Sequence, residues 1–323
     1  MRKVLLFNPG VGSLNKGDEI ISDAVTNNID FCLQNNFVTS ISTHTPLNYT
    51  YVKHLKNYDL KFVCGSNLLM GKMNGLFRQW DITLLSISAV KECILVGVGW
   101  WQQNDKPNLY TKWLYRKILN KNYLHSVRDE YTKKMLESIG VKNVINTGCC
   151  TMWGFTKEFC NQIPTKKSDD VIFTITDYNE DEENDSLMIK TIIKNYKNVY
   201  FWPQGEKDYD YILKLGFNNE VKFINSDLKS YDDFLSKHDC DYIGTRLHGG
   251  IRALQHKKRS IIISIDNRAR EKKKDFNIPC IERNEMSNLN KMINSSFKTE
   301  INIPIENINK WKSQFEKLDI KND

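Results

Sequence analysis

The chain has 323 residues, 46 of them Lys or Arg and 39 Asp or Glu, with a formal charge of +7, 40% hydrophobic and 26% charged residues. That length suits two globular domains better than one; the composition excludes a disordered chain, and no apolar run is long enough to cross a bilayer. The positive charge is spread through lysine-rich stretches, which argues against a nucleic-acid partner and suits an anionic substrate or loose attraction to an anionic membrane surface.

The first residues, Met1-Arg2-Lys3-Val4-Leu5-Leu6-Phe7-Asn8, read as a strand and are too short in their apolar part for a signal peptide, so a cytoplasmic location is expected, with membrane association left open. Short apolar strands then alternate with amphipathic helices. Strands are predicted at 3–8, 38–42, 60–65, 93–99, 125–128 and 143–147, and helices at 18–31, 76–90, 108–119 and 130–139. The pattern lapses after Gly148, and the polar stretch 156–170 with Pro164 reads as a linker. Alternation resumes with strands at 171–176, 199–203, 221–225, 242–245 and 260–265, separated by helices near 185–194, 207–215, 231–237 and 248–258. A closing helix at 306–318 carries Ile308, Trp311 and Phe315 on one face. The expected fold is α/β: two Rossmann-like domains, 1–160 and 161–323 with the closing helix, bordering a central cleft.

The most informative stretch is Thr245-Arg246-Leu247-His248-Gly249-Gly250, at a strand-to-helix junction. Such a junction offers unpaired backbone N–H groups and a positive dipole end to an anion. If the chain stays extended there, Arg246 and His248 point one way and Leu247 points into the core, while Gly249 and Gly250 let a ligand come close. Arg128, at the end of another strand, and Arg268, after the last, would join them on a ligand with more than one anionic group. Gln204 follows a strand and contributes to the cleft wall.

The loop from Asn8 to Asp18 is glycine-rich but fits neither standard phosphate motif, because Asp18 follows Gly17 where a P-loop needs lysine. Asp18 suits a helix N-cap; the alternative is a base for an acceptor hydroxyl. Trp100 or Trp101 would stack on a sugar if exposed, against a core role for the pair. Cysteines at 32, 64, 93, 149, 150, 160, 240 and 280 show no metal-ligand spacing and read as buried thiols; no metal is expected.

The run from Asp241 to Gly249, with Ile261 to Asp266 and Arg268 after it, resembles the signature of the polysaccharide pyruvyl transferase family. Asn15, Gly17 and Asp18 before a helix and Ser126-Val127-Arg128-Asp129 match that family's earlier elements in order, so the resemblance spans about residues 4 to 283. It implies a glycosyltransferase-B-like arrangement and transfer of the enolpyruvyl group of phosphoenolpyruvate to a sugar as a pyruvate ketal. No cofactor is implied beyond that donor, and the acceptor would be a nucleotide-linked or lipid-linked saccharide. By similarity, Arg128, His248 and Arg268 hold or activate the donor, with Arg246 and the glycines near its phosphate. A nucleotide-sugar glycosyltransferase on the same fold is the competing reading, with Asp266 available to ribose hydroxyls.

Overall fold

The computed structural model describes residues 1–102 and 105–316, apart from the side chains at 267, 268 and 271. The chain forms two compact units: Met1–Ser13, Ile21–Trp153 and the segment from Pro304 make the first, and Leu14–Ile20 with Gly154–Ile303 the second.

In the first unit, strands β1 (Lys3–Asn8), β2 (Phe37–Ser42), β3 (Leu60–Cys64) and β4 (Ile94–Val96) form a parallel sheet in the order β2-β1-β3-β4. Strands β5 (His125–Val127) and β6 (Val144–Asn146) pair in parallel beside it. A bridge from Val98 to Val127, and hydrogen bonds from Gly97 N to Ser126 Oγ (2.8 Å) and Leu95 N to His125 Nδ1 (3.2 Å), tie β5 to β4. β3 and β4 are buried throughout and apolar apart from Lys61, as helices on either side of a parallel sheet require. The order reverses between β1 and β3, and ligands of such sheets bind outside the strand carboxyl ends at that place.

The second unit holds strands β7 (Asp170–Thr174), β8 (Asn198–Phe201), β9 (Lys222–Phe223), β10 (Cys240–Gly244), β11 (Ser260–Ser264) and β12 (Cys280–Glu282). They form one parallel sheet, β12-β11-β10-β7-β8-β9, which is the doubly wound Rossmann order. Its reversal lies between β7 and β10. Val171, Phe173, Ile243, Ile261 and Ile263 are fully buried beneath Met188, Ile189, Ile192 and Tyr211 from the covering helices. At the amino edge, Asp241 and Arg259 form a buried ion pair (2.7 Å), and Arg259 Nη2 donates to the carbonyls of Met292, Ile293 and Ser295.

Several expectations are corrected. The predicted helix at 76–90 is a 3-10 turn at Leu84–Ser86 followed by a short helix at Ile87–Val90. Ahead of it Trp80 and Ile82 are both buried, two residues apart, a spacing that no helical face provides. The linker-like stretch contains the helix Lys157–Cys160, capped by Thr156, and belongs to the second unit, so the division falls at 153/154 and not at 160/161. The closing helix, Ile305–Ser313, belongs to the first unit: Trp311 packs on Trp153 (5.6 Å) and Phe315 on Phe62 (5.6 Å). The predicted residues 317 and 318 of that helix lie outside the described residues. The strand β12 and the helices Tyr49–Leu55 and Asn267–Phe276 had no counterpart in the sequence reading.

All eight cysteines are buried, and burial pushes the thiols of Cys64, Cys240 and Cys280 up to about 12, which leaves them unreactive near neutrality. No helix among the described residues is long and apolar enough to cross a membrane. Nor do the described residues contain a group of His, Cys, Asp or Glu able to hold a metal ion.

Candidate functional site

At the reversal of the second sheet, the loops leaving β7 and β10 lie side by side, linked by Thr176 Oγ1 and Thr245 Oγ1 at 2.8 Å. A small recess opens there, lined by Asn15, Tyr178, Gln204, Thr245, Arg246, Leu247, His248, Ile265, Asp266 and Ala269. Three residues singled out around the sequence junction, Arg246, Leu247 and His248, thus share one wall.

The helix that begins there, Leu247–Gln255, has Arg246 at its N-cap position with no side-chain cap bond. Elsewhere Asn48, Asn108, Asp129, Thr156, Asp181 and Asp227 cap helices with side-chain oxygens. Arg246 brings no side-chain oxygen to this end of the helix, and the positive end of a helix dipole favours an anion. The turn itself is held from below: Tyr242 Oη donates to Arg246 O (2.8 Å), and Tyr231 Oη donates to Gly249 O (2.9 Å). His248 lies inside the first helical turn and not on extended chain, yet it still lines the recess, 9% exposed. Leu247, expected in the core, is half-buried on the recess wall.

Arg246 plays a different part from the one expected. Its guanidinium, 3% exposed, binds the Asp208 carboxylate through Nε (3.0 Å) and Nη2, and Asp177 through Nη2 (2.6 Å). Tyr178 lies over it at 5.1 Å. With two carboxylates against it, the arginine is already neutralised and serves as a brace, because a buried cation stays charged only with such partners. Asp208, fully buried, also accepts from Asp177 N (3.1 Å), Gln204 N (3.0 Å) and Gly205 N (2.8 Å), so one side chain fixes the loops after β7, β8 and β10. Burial pushes its carboxyl up, and the charge of Arg246 opposes that. Gly205 makes the brace sterically possible: a Cβ there would fall 2.1 Å from Arg246 Nη2.

The glycines of the helix are also reassigned. A Cβ at Gly250 would lie 2.6 Å from Ile262 Cγ1, and one at Gly249 would lie 2.9 Å from Gln204 Oε1 and 3.2 Å from Tyr242 Oη. They let the helix settle on the sheet and on Gln204. Neither lines the recess.

Gln204 carries more than wall. Asn15 Oδ1 accepts from Gly17 N (3.0 Å) and therefore takes Gln204 Nε2 as a second donor (3.1 Å), which fixes the orientation of the glutamine amide. Its Oε1 is buried and finds no hydrogen-bond partner among the described residues. Asn15 caps the helix Lys16–Asn28 in place of Asp18, which sits within its first turn, half-buried, with Asn15 Nδ2 at 3.5 Å. The N-cap reading of Asp18 is thereby corrected. Arg268 lies in the helix Asn267–Phe276, and its side chain lies outside the described residues.

In the first unit, Arg128 follows β5 and is 7% exposed. Its Nε donates to Asp129 Oδ2 (3.1 Å), while Asp129 Oδ1 caps the next helix by accepting from Thr132 N (2.7 Å). Arg128 lies across Gly99 next to Asn67: a Cβ on that glycine would be 2.2 Å from Arg128 Nε and 2.5 Å from Asn67 Oδ1. Asn67 Oδ1 is itself buried with no partner among the described residues. Trp100, expected to stack on a sugar, is instead a core residue, 3% exposed, edge-on to Tyr115 (6.1 Å), its indole N–H donated to Asp105 O (3.0 Å). Trp101 is half-buried against Phe77 (5.2 Å).

Sequence reasoning missed Asp177 and Asp208. The only local sign of Asp208 was its place in the first turn of a helix after Pro203-Gln204-Gly205.

Among solved structures, the chain is similar to the Methanocaldococcus jannaschii UDP-GlcNAc 2-epimerase in complex with UDP-GlcNAc and UDP (12% identity, 98% of this chain and 99% of that one, TM-score 0.51). It is similar also to the Staphylococcus aureus MnaA–UDP structure (10% identity, 99% and 97%, TM-score 0.50). Fold and site together define a glycosyltransferase-B-like α/β protein with a recess at the sheet reversal of its second unit. Comparison with functionally curated proteins returns no match. The family model for polysaccharide pyruvyl transferase matches residues 15–267, most of the chain, and the chain belongs to that family of transferases.

Proposed function

We propose that the protein transfers the enolpyruvyl group of phosphoenolpyruvate to a saccharide, forming a pyruvate ketal during surface-polysaccharide assembly in the cytoplasm. The observation that carries this reading is the uncapped helix Leu247–Gln255 with His248 in its first turn, opening on a recess at the sheet reversal of a chain from this family. The donor's phosphate would meet the helix N–H groups, and its carboxylate would suit a guanidinium fork. His248 would protonate the methylene carbon, leaving an oxocarbenium-like carbon; imidazole is the side chain whose ordinary pKa suits that exchange near neutrality. A sugar hydroxyl then adds, giving its proton to a base such as Asp18. The C–O bond to phosphate breaks, phosphate leaves with the proton held by that base, and a second hydroxyl adds to the carbon and closes the ketal, its proton restoring His248. Arg246 braces the site in this scheme and does not contact the phosphate.

A second reading is favoured by Asp266, whose place on the recess wall suits ribose hydroxyls and hence a nucleotide-sugar donor. One experiment separates the two. Phosphoenolpyruvate should raise the thermal midpoint of the wild type, since a ligand that binds only the folded state must stabilise it. The His248→Ala variant should keep its fold and lose transfer by at least about a hundredfold. Transfer at the wild-type rate would remove His248 from the mechanism, and protection by a nucleotide-sugar alone would install the second reading.

A further inference from the structure

The long connection 65–83 in the first unit buries Met73, Trp80 and Ile82 yet leaves its tip outside, with Leu76 106% and Phe77 58% exposed. A second segment meets it there. Gly71 N donates to Asp105 Oδ2 (2.5 Å), Asn108 N to Gly71 O (3.0 Å), Asn108 Nδ2 to Asn74 Oδ1 (2.6 Å) and Met73 N to Thr111 Oγ1 (2.9 Å). These bonds hold the tip beside the start of the helix Leu109–Ile118, which presents Leu109, 84% exposed, and Trp113, 46% exposed. Large apolar side chains gathered on two connected loops mark an interaction surface, and a long structured loop is where such surfaces sit.

The charges around this patch indicate the partner. Lys72 and Lys106 are exposed on the same two segments, and Lys112 is half-buried one turn into the helix. Of the acids nearby, Asp81 is paired with Arg78 (2.8 Å), and Asp105, bonded to Gly71 N, is outnumbered by the three lysines. Aliphatic and aromatic side chains ringed by lysines fit a bilayer whose headgroups are negative, the apolar tips entering the acyl boundary and the ammonium groups staying among the phosphates.

We infer that this face of the first unit docks on an anionic membrane surface. The inference stands on the first unit alone and is independent of the transfer reaction; with both in force, a lipid-linked acceptor lies in the surface on which the protein docks. The test is sedimentation of the full chain with vesicles of phosphatidylcholine alone or mixed in equal parts with phosphatidylglycerol, at low and high salt. Wild type should bind the anionic vesicles preferentially and release with salt. Lys72→Gln with Lys106→Gln should weaken binding by about fivefold per lysine, and Leu76→Ser with Leu109→Ser should abolish most of it. Melting midpoints check the fold of each double variant; because all four side chains are exposed, little change is expected. Equal binding to both vesicle types, unchanged binding by the serine variant, or a wild-type dimer that the serine variant dissociates would each overturn the inference.

Discussion

His125 shows what burial does to a single titratable group. It is fully buried in β5, where Nδ1 accepts from Leu95 N (3.2 Å) and Nε2 donates to Asn120 O (2.8 Å), so one neutral tautomer satisfies both partners. Burial lowers its pKa from 6.5 to about 4. In the unfolded chain the same ring protonates nearer 6.5, so its contribution to stability is present above that value and is lost as pH falls toward about 4, on the order of 3 kcal/mol in all. Urea unfolding followed between about pH 7 and pH 5 should show this loss, and His125→Leu should flatten it. A wild-type slope no steeper than the variant's would mean the ring is not held neutral. The same scale shows why the site was only partly legible. Arginine and histidine at 246 and 248 stand out in the sequence, but the carboxylates that neutralise Arg246 lie 38 and 69 residues away in the chain, and no local pattern announces them.

Elements were easier to read than their contacts. Apolar runs located β1, β7 and β11 to within two residues, because a buried parallel strand needs apolar side chains on both faces. The stretch 76–90 misled, because its apolar residues sit among loop contacts that the period does not reveal. Gly249 and Gly250 looked like room for a ligand and proved to be room for a sheet. Gly250→Ala should therefore overpack the helix against β11 and cost about 1–3 kcal/mol. Ile262→Ala should then cost less in that background than in wild type, a coupling that a double-mutant cycle measures. An equal cost in both backgrounds would show that the helix does not press on Ile262.

At the scale of the molecule, the chain lends Leu14–Ile20 to the second unit while building the first, then builds the rest of the second and returns its final helix to the first. Trp311 is fully buried in that return, against Trp153 and Phe315 (5.0 Å). Trp311→Ala should cost about 3–5 kcal/mol and lower the melting midpoint accordingly; a loss no larger than that of an exposed residue would show the helix to be an accessory. The amphipathic period of that segment was plain in the sequence, but which unit it covers was not. By itself the sequence determined the alternation of strands and helices, the two-unit plan and the arginine-leucine-histidine junction, because periodicity and residue type act locally. Tertiary structure alone decided that Arg246 is a brace, that Asn15 and not Asp18 caps its helix, that Trp100 is core and that the last helix serves the first unit. Each of these depends on which distant or neighbouring group occupies the space around a side chain, and only the folded chain settles that.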